Sequence, residues 1–380
     1  MRFPEFSGEW EKSRVSDFIE FFPTNSLSWD QLEYRGAGLL NLHYGMIHNG
    51  LPVQVDASKN ALPSIKEDYY PKKYTLCKEG DIAFADASED TNDVGKAIEF
   101  NNCAGKSIVC GLHTIHGRDR LGLTSIGFKG YLFSSKVYHD QIKSIAQGTK
   151  VFSIKASNFD EVILGLPKKE EQKKISSLLM AIDDRILTQI KIIEELKTLR
   201  SALRYKLLDE MMVERTAKLG ELCRITTGKL DANAMVEGGG YPFFTCAEKV
   251  YEIDRYAFDT EALLVSGNGA NLGHIHYYCG KFNTYQRTYV LSDFSEDIQY
   301  LRQYLEAYLS KRIESEKNTG NTPYIVLGTL TDMEIKLPKV PEQQRIAHDL
   351  SVLSQKIENE THMFELFIQE KKTLLGKMFI

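Results

Sequence analysis

Long apolar runs are absent from the 380-residue sequence. None approaches the ~18 residues that a membrane-spanning helix needs, which excludes an integral membrane protein. The opening segment Met1–Ser7 lacks the apolar core of a signal peptide, so we expect a cytoplasmic protein. The six cysteines form no Cys-x-x-Cys pair, which predicts reduced, mostly buried thiols. With 10 prolines and 42% apolar residues, the composition is typical of a folded globular protein. The length of the chain is typical of a protein with two or three domains.

Excess positive charge is also absent. The chain has 47 Lys and Arg residues against 52 Asp and Glu residues, which gives a net charge of −5. This balance argues against a nucleic-acid-binding protein of the strongly basic kind. It does not exclude DNA binding, because phosphate contacts need only a local positive face and a positive partner can supply the rest of the field.

The chain does contain an internal repeat. The segment Leu166–Ile175 (LPKKEEQKKI) recurs as Leu337–Ile346 (LPKVPEQQRI), and the correspondence continues from there without a gap. After the first copy, apolar residues follow in steps of three or four up to Leu207, and the second copy has a similar stripe up to Met378. This period predicts two helices of ~40 residues, each ~60 Å long.

Each predicted helix has one apolar face, so we expect the two to pair as an antiparallel coiled coil. The alternative is two ordinary amphipathic helices, each packed on its own domain. The regions before the helices are strand-rich, and each carries a shorter helix followed by a glycine turn. The predicted strands are 80–86, 106–113, 262–266 and 288–291. The predicted shorter helices are 131–146 and 300–313.

The predicted fold class is therefore α+β, with two strand-rich α/β domains separated by an antiparallel coiled coil of two long helices. The supports are duplicated and the domains between them have diverged, as in a ruler that holds two different reading domains. The predicted domains are 1–166 and 213–337, and the predicted helices are 167–212 and 338–380.

The two signatures resemble those of a known family, the specificity subunits of type I restriction-modification systems. In that family, two target-recognition domains are each followed by a long helix that opens with Leu-Pro-x-x-x-Glu-Gln-x-x-Ile. Other segments resemble two subfamilies of recognition domain and the family's N-terminus: Gly80–Thr91 with Gly111–Thr114, Gln286–Tyr289 with Gly320–Ile325, and Arg2–Phe6. The resemblance covers essentially the whole chain.

The resemblance implies a non-catalytic subunit that binds double-stranded DNA. Each recognition domain would read one half of a bipartite site, and the helix pair would set the gap between the halves. Two methyltransferase subunits would dock beside the helices and methylate adenines, and restriction-translocase subunits would join for cleavage. S-adenosylmethionine and ATP would belong to those partners, so no cofactor is expected in this chain.

Polar loops supply the candidate DNA contacts, because Asn, Gln, Arg, Lys, Ser and Thr match base edges and phosphates. Each has a structural alternative: a glycine turn around Asn268, an internal Arg–carboxylate pair at Arg287, or a solvated, helix-capping acidic loop at 86–93. The candidates are Lys72, Lys73, Ser88, Thr91, Asn92, His113, Thr114, Lys150, Ser266, Asn268, Asn271, Gln286, Arg287, Asn321, Thr322 and Tyr324.

Four residues at the helix entrances are candidates for the partner interface: Glu171, Gln172, Glu342 and Gln343. Residue types and position predict that they cap the first helical turn and tie the domain to the helix. The resemblance adds that this region lies near the methyltransferase interface.

A second possible function is that of a DNA adenine methyltransferase that acts alone. Asn321–Tyr324 (NTPY) is one residue from the Asn-Pro-Pro-Tyr motif of adenine methyltransferases, but no Phe-x-Gly-x-Gly loop follows a first strand. A coiled-coil scaffold that does not bind DNA is the third possibility. No metal site is predicted, because the 86–93 loop lacks EF-hand spacing and His113 with His116 has no thiolates at ligand spacing.

Overall fold

The computed structural model describes residues 1–34, 38–316 and 324–379. The chain forms two compact units, Met1–Ile190 with Met363–Ile380 and Lys191–His362. The division falls inside both long helices, so each helix contributes one part to each unit. No helix within the described ranges combines the length and apolar character needed to cross a bilayer.

Among the described residues, the first unit has thirteen strands and four short helices ahead of the first long helix. In chain order these are β1 (Glu11–Arg14), α1 (Val15–Phe18), β2 (Ile19–Phe22), β3 (Leu32–Glu33), β4 (Leu40–Leu42), α2 (Tyr44–His48), β5 (Gln54–Asp56), β6 (Ser64–Ile65), β7 (Ile82–Ala85), β8 (Ala87–Ser88), β9 (Ala97–Asn102), β10 (Ile108–Cys110), β11 (Thr114–Asp119), α3 (Lys129–Leu132), α4 (Lys136–Ile145), β12 (Phe152–Ser153), β13 (Ile163–Leu166) and the long helix α5 (Lys169–Glu210).

The main sheet of this unit has the order β2-β11-β7-β9-β5, and a second sheet has the order β10-β4-β6-β3. Strand β7 (IAFA) is apolar at every position and buried on both faces, as expected for a central strand. The predicted strands 80–86 and 106–113 therefore correspond to β7 and β10. The predicted helix 131–146 is interrupted: α3 ends at Leu132, and α4 begins at Lys136 with Ser135 as its N-cap, whose side chain accepts the Tyr138 N–H.

In the part of the second unit that the structure describes, eight strands and three helices lie between the long helices. These are β14 (Arg215–Lys218), α6 (Leu219–Leu222), β15 (Arg224–Thr227), β16 (Tyr241–Phe244), β17 (Tyr251–Ile253), β18 (Phe258–Ser266), β19 (Ile275–Thr284), β20 (Thr288–Ser292), α7 (Ile298–Ser315), α8 (Leu327–Thr331), β21 (Glu334–Leu337) and the long helix α9 (Val340–Lys377). Its sheet has the order β15-β20-β18-β19-β16-β17. The strand predictions 262–266 and 288–291 and the helix prediction 300–313 are confirmed by β18, β20 and α7.

The repeat extends beyond the signature to the start of each half. Both halves open with a strand, a one-turn helix and a second strand, and in both the first strand pairs antiparallel with the strand just before the long helix. The N–H of Val15 donates to the Val162 carbonyl at 2.9 Å, and the N–H of Leu219 donates to the Met333 carbonyl at 2.9 Å. The two halves are therefore one architecture with different sheets inserted between equivalent ends.

The long helices pair antiparallel within each unit, which confirms the predicted coiled-coil arrangement. In the first unit Asp183 of α5 forms an ion pair with Lys371 of α9 at 2.5 Å, and Arg185 lies over the Phe367 ring. From the first contact to the second, the residue number increases in α5 and decreases in α9, so the helices run in opposite directions. In the second unit, the Arg200 guanidinium of α5 donates to Ser354 of α9 at 3.1 Å.

Both helices also bury part of their stripe against the strand-rich regions. In the first unit, Ile175 and Leu179 of α5 share one core with Phe128 and with Met378 of α9. In the second unit, Ile346 of α9 joins the core that holds the apolar face of α7. The long helices therefore pack against each other and also contribute apolar side chains to the hydrophobic core of each unit.

Candidate nucleic-acid interface

The glutamine of each signature is buried and makes structural hydrogen bonds. The Gln172 side-chain amide donates to the Leu123 and Pro167 carbonyls at 2.9 and 2.8 Å, and its oxygen accepts the Ser125 N–H at 2.7 Å. All three partners are backbone atoms. A buried amide with every hydrogen bond satisfied fixes the angle at which the helix leaves the domain.

Gln343 repeats this arrangement in the second half. Its amide donates to the Pro338 carbonyl at 3.0 Å and to Glu296 at 2.7 Å, and its oxygen accepts the Asp297 N–H at 3.2 Å. We call Gln172 and Gln343 the helix-entrance amides. Both are almost fully buried, so in this structure they are not open to a partner protein, and we withdraw both from the partner-interface candidates.

The two glutamates of the signatures differ from each other. Glu171 is buried and accepts two hydrogen bonds from the Arg2 guanidinium, at 2.6 and 2.7 Å, which ties the N-terminal segment to α5. We withdraw it as a partner contact for the same reason. Glu342 is partly exposed and pairs with Arg345 one turn along α9 at 2.7 Å. Of the four entrance residues, Glu342 is the one that a docking protein can reach here.

We expect Gln343→Ala to lower the free energy of unfolding by roughly 2–4 kcal/mol, since it removes three hydrogen bonds and leaves buried backbone groups unpaired. The measurement is denaturant unfolding of the full chain, followed by circular dichroism. Gln355→Ala is the matched control, because Gln355 is exposed on the same helix and its loss should change stability by less than about 0.5 kcal/mol. Equal unfolding midpoints for the two variants would show that the buried amide does not hold the helix entrance.

Polar candidates of the first unit gather around His113, and we call the 86–93 loop, His113 and Lys150 surface 1. His113 has a left-handed backbone (φ +53°) that turns its ring outward, and its Nδ1 lies 3.1 Å from an Asp86 carboxylate oxygen. Burial raises the pKa of Asp86, and the nearby His113 opposes this shift. Strand β8, which includes Ser88, pairs with β12, and this brings the turn containing Lys150 beside the loop.

The other surface 1 candidates are exposed or partly exposed. Asn92 is exposed, and its side-chain oxygen accepts from Lys143 of α4 at 2.6 Å; Thr91 and Ser88 are partly exposed. Thr114 does not belong to this surface, because it is buried in β11 and its hydroxyl donates to the Gly111 carbonyl at 2.6 Å. We therefore withdraw Thr114 as a DNA contact.

A row of rings beside His113 was missed by sequence reasoning. The Tyr44 ring packs edge-on against His113 at 5.1 Å and lies 4.8 Å from His43, which in turn lies 4.4 Å from the exposed Trp29. Burial lowers the pKa of His43, and the nearby His113 lowers it further. These residues come from a loop and from α2, so only the fold brings them to His113. Aromatic rings at a polar surface offer stacking area for bases.

Lys72 and Lys73 are exposed on the loop that follows the short 3-10 helix Glu67–Tyr69, near the exposed Tyr69, Tyr70 and Tyr74. No described contact joins them to surface 1. They remain candidates for phosphate contact on a separate part of the first unit.

The second unit brings most of its candidates together at one end of its sheet, and we call the 266–273 loop, Gln286, Arg287 and Tyr324 surface 2. The Gly267 N–H donates to the Arg287 carbonyl at 2.9 Å, and Asn268 forms a β-bridge with the exposed Tyr324. The two loops border an open cleft of about 310 Å³, lined by Thr227, Gly267, Gln286, Arg287, Tyr289 and Ile325.

Arg287 is the most available cation of surface 2. It is exposed, and within the described ranges its guanidinium makes no hydrogen bond or ion pair, so the internal Arg–carboxylate alternative is not what this structure shows. Gln286 is exposed and donates to Asp231 at 2.9 Å. Asn271 donates to the Cys246 carbonyl at 3.2 Å, which leaves its side-chain oxygen for other contacts.

Ser266 is buried at the end of β18, and its hydroxyl has no hydrogen-bond partner among the described residues, so we withdraw it as a direct contact. Asn321 and Thr322 lie outside the described residues.

A groove of about 740 Å³ that shares Thr227 with the cleft of surface 2 was not predicted from the sequence. Among its lining residues are the cations Arg224, Lys229 and Arg255, which alternate with polar groups.

Comparisons with known proteins identify the relatives of this chain. A family model described as the type I restriction modification DNA specificity domain matches residues 213–364. The specificity subunit of the type I restriction enzyme EcoDI of Escherichia coli is 45% identical over 146 residues, which is 38% of this chain and 32% of that protein. The chain thus matches about a third of that relative's length. A putative type I specificity subunit of Mycoplasma genitalium is 24% identical over 311 residues, 75% of this chain and 79% of that protein.

Solved structures show the same fold. The crystal structure of the S subunit of a type I restriction-modification system from M. genitalium matches with a TM-score of 0.63 and 17% identity, over 100% of this chain and 99% of that chain. A chain from a structure on complex assembly and conformational transition of the type I system matches with a TM-score of 0.59 and 16% identity, over 98% of this chain and 97% of that chain.

Proposed function

We propose that this chain is a specificity subunit of a type I restriction-modification system, and that it reads a bipartite DNA sequence for a methylation and restriction complex. Residues 1–166 read one half-site through surface 1, and residues 213–337 read the other through surface 2. The pair α5 and α9 sets the number of base pairs between the half-sites. The chain itself performs no chemistry.

The observation that carries this proposal is the chemistry of the helix-entrance amides. Gln172 binds only backbone atoms of the domain before it, and Gln343 binds one backbone N–H and one carbonyl besides Glu296. A junction that contacts backbone tolerates a change of almost any side chain in the domain that it holds. This supports a protein whose reading domains diverge while their supports stay constant.

Surface 1 offers groups that suit base readout. Asn92 can pair with adenine, Ser88 and Thr91 can donate or accept, and acidic side chains of the loop can accept from the cytosine amino group. Lys150 supplies a phosphate contact beside them. The Tyr44 and Trp29 rings add stacking area that tolerates any base.

Surface 2 is the stronger candidate for guanine recognition. Arg287 carries a planar fork of donors that matches the O6 and N7 acceptors of guanine, and Asn268 and Asn271 lie on the adjacent loop. The cations Arg224, Lys229 and Arg255 of the neighbouring groove would hold the phosphates along the same duplex.

The partners follow from the charge and from the family. A net charge of −5 makes strong DNA binding by the isolated chain unfavourable. A positively charged partner protein is therefore needed to supply affinity for the DNA phosphate backbone. We propose that two methyltransferase subunits fill this role and dock beside α5 and α9, with the partly exposed Glu342 among the contacts. Restriction-translocase subunits would join the same assembly in the cytoplasm.

The test is selection of bound sequences from a random DNA library by the chain assembled with its methyltransferase partner. We expect two short constant blocks at a fixed separation. Arg287→Ala should relax one position in one block, with roughly a tenfold loss of preference there, because a bidentate pair provides about 1–3 kcal/mol of discrimination.

Lys218→Ala is the control for that substitution. It removes one positive charge from the same unit, but Lys218 pairs with Asp332 at 2.9 Å and does not line either cleft. It should leave the selected sequence unchanged. Selection of no constant sequence by the natural complex would refute the proposed function.

A further inference from the structure

Two thiols and an imidazole meet inside the first unit. The ligand atoms of Cys77, Cys110 and His116 all lie within 4.8 Å of one another, and all three residues are buried. Cys77 lies in the loop before β7, Cys110 ends β10 and His116 lies on β11. Cys77 and Cys110 are 33 residues apart, and Cys110 and His116 are close in sequence but match no standard zinc-ligand spacing, so no motif reveals the cluster. Thiolate and imidazole are the donors that Zn²⁺ prefers in closed structural sites.

A buried carboxylate contacts one nitrogen of the His116 ring. Its Nε2 lies 2.8 Å from an Asp81 carboxylate oxygen, and Asp81 is buried as well. Asp81 is itself fixed by the Arg118 guanidinium through two hydrogen bonds of 2.7 Å. A carboxylate that accepts from one ring nitrogen fixes the tautomer and leaves Nδ1 unprotonated for a metal, which is the usual outer shell of a zinc histidine.

The separation of the sulfurs fits a shared ion. The Cys77 and Cys110 Sγ atoms are 3.6 Å apart. Tetrahedral zinc with Zn–S bonds of about 2.3 Å places two sulfurs about 3.8 Å apart, whereas a disulfide needs about 2.05 Å. The charges also balance: Zn²⁺ with two thiolates and a neutral histidine carries no net charge, and Asp81 and Arg118 cancel each other. A buried neutral assembly avoids the cost of a buried net charge.

We propose that Cys77, Cys110 and His116 bind one Zn²⁺ ion, with Asp81 as the positioning residue for His116. Cys103 is buried in the same apolar cluster, but its thiol lies outside the group whose ligand atoms approach within 4.8 Å, so the proposal rests on three protein ligands. The ion would join β10 of the four-stranded sheet to β11 of the main sheet.

The site has a consequence for surface 1, which rests on the proposed function. Cys110 and His116 bracket the turn that presents His113 in its left-handed conformation. Fixing both ends of this turn holds His113 against Asp86. Loss of the ion is therefore expected to disturb recognition of one half-site and to leave the other unchanged.

The test is metal analysis of the full chain purified without a histidine tag, after incubation with Zn²⁺ and desalting. We expect about one zinc per chain, lost in Cys77→Ser and retained in Cys223→Ser, whose thiol is buried in the second unit. Because Cys77→Ser can unfold, Asp81→Asn is the second variant. It should keep the fold by circular dichroism and bind zinc roughly 10- to 100-fold more weakly in competition with a chelator.

Three results would overturn the metal site. They are a folded natural chain that holds no zinc, a Cys77→Ser chain that keeps it, and a count of free thiols showing that Cys77 and Cys110 form a disulfide. None of these measurements uses DNA, so failure of the metal site and failure of the proposed function are distinguishable.

Discussion

Replacement of residues 213–337 with the corresponding domain of a known type I specificity subunit should change one half of the methylated DNA sequence and leave the other half intact. The exchange includes both β14 and β21, which pair with each other, so no strand ladder is cut. Gln343 keeps its backbone partners at positions 297 and 338 whatever side chains the new domain brings. The junction of α9 should therefore form as before.

The expected effect is large. Each mismatched base pair typically costs roughly 1–3 kcal/mol, so several mismatches in one half-site should lower methylation of the original sequence by roughly a thousandfold. The measurement is a genome-wide map of methylated adenines in cells that express the exchanged chain with its partners. The matched control is the exchange of residues 1–166, which should change the opposite half-site. A change in both halves from either exchange would contradict independent reading domains.

Lengthening the helix pair should change the gap and not the half-sites. We propose inserting four residues after Ile190 in α5 and four after His362 in α9, so that the antiparallel partners stay matched. Four helical residues add about 6 Å, and each DNA base pair advances about 3.4 Å, so the recognised gap should grow by about two base pairs. The same map of methylated adenines measures it.

The control for this insertion is alanine substitution of four exposed residues at the same place, with no change in length. That variant should keep the natural gap. An inserted chain that keeps the natural gap, or one that alters the half-sites themselves, would show that the helix pair does not set the spacing.

The helical framework was predictable from sequence because its information is local. The apolar stripe predicted two helices of ~40 residues, and the structure has helices of 42 and 38 residues at those places. The signature predicted that Gln172 and Gln343 tie the domain to the helix. Their backbone partners, such as Ser125, could not be predicted, since they lie nearly fifty residues away in loops without a motif.

The reading surfaces were predictable only in part. Polar loops were identified by residue type, but whether a side chain at a strand end faces solvent depends on the local twist and register, which is why Thr114 and Ser266 proved to be buried. The ring row beside His113 and the group Cys77, Cys110 and His116 were not predicted because their members come from separate segments that only the fold brings together. A residue's neighbours across a sheet are not encoded in its neighbours along the chain.

Single-molecule mapping of methylated adenines, in cells that carry this gene together with the proposed methyltransferase subunit, tests whether this chain alone directs methylation to one two-part sequence. We expect a single motif, made of two unrelated constant blocks with a fixed number of arbitrary bases between them, that disappears when the gene is deleted. Methylation at one continuous short sequence, or a motif that persists without this chain, would refute this role.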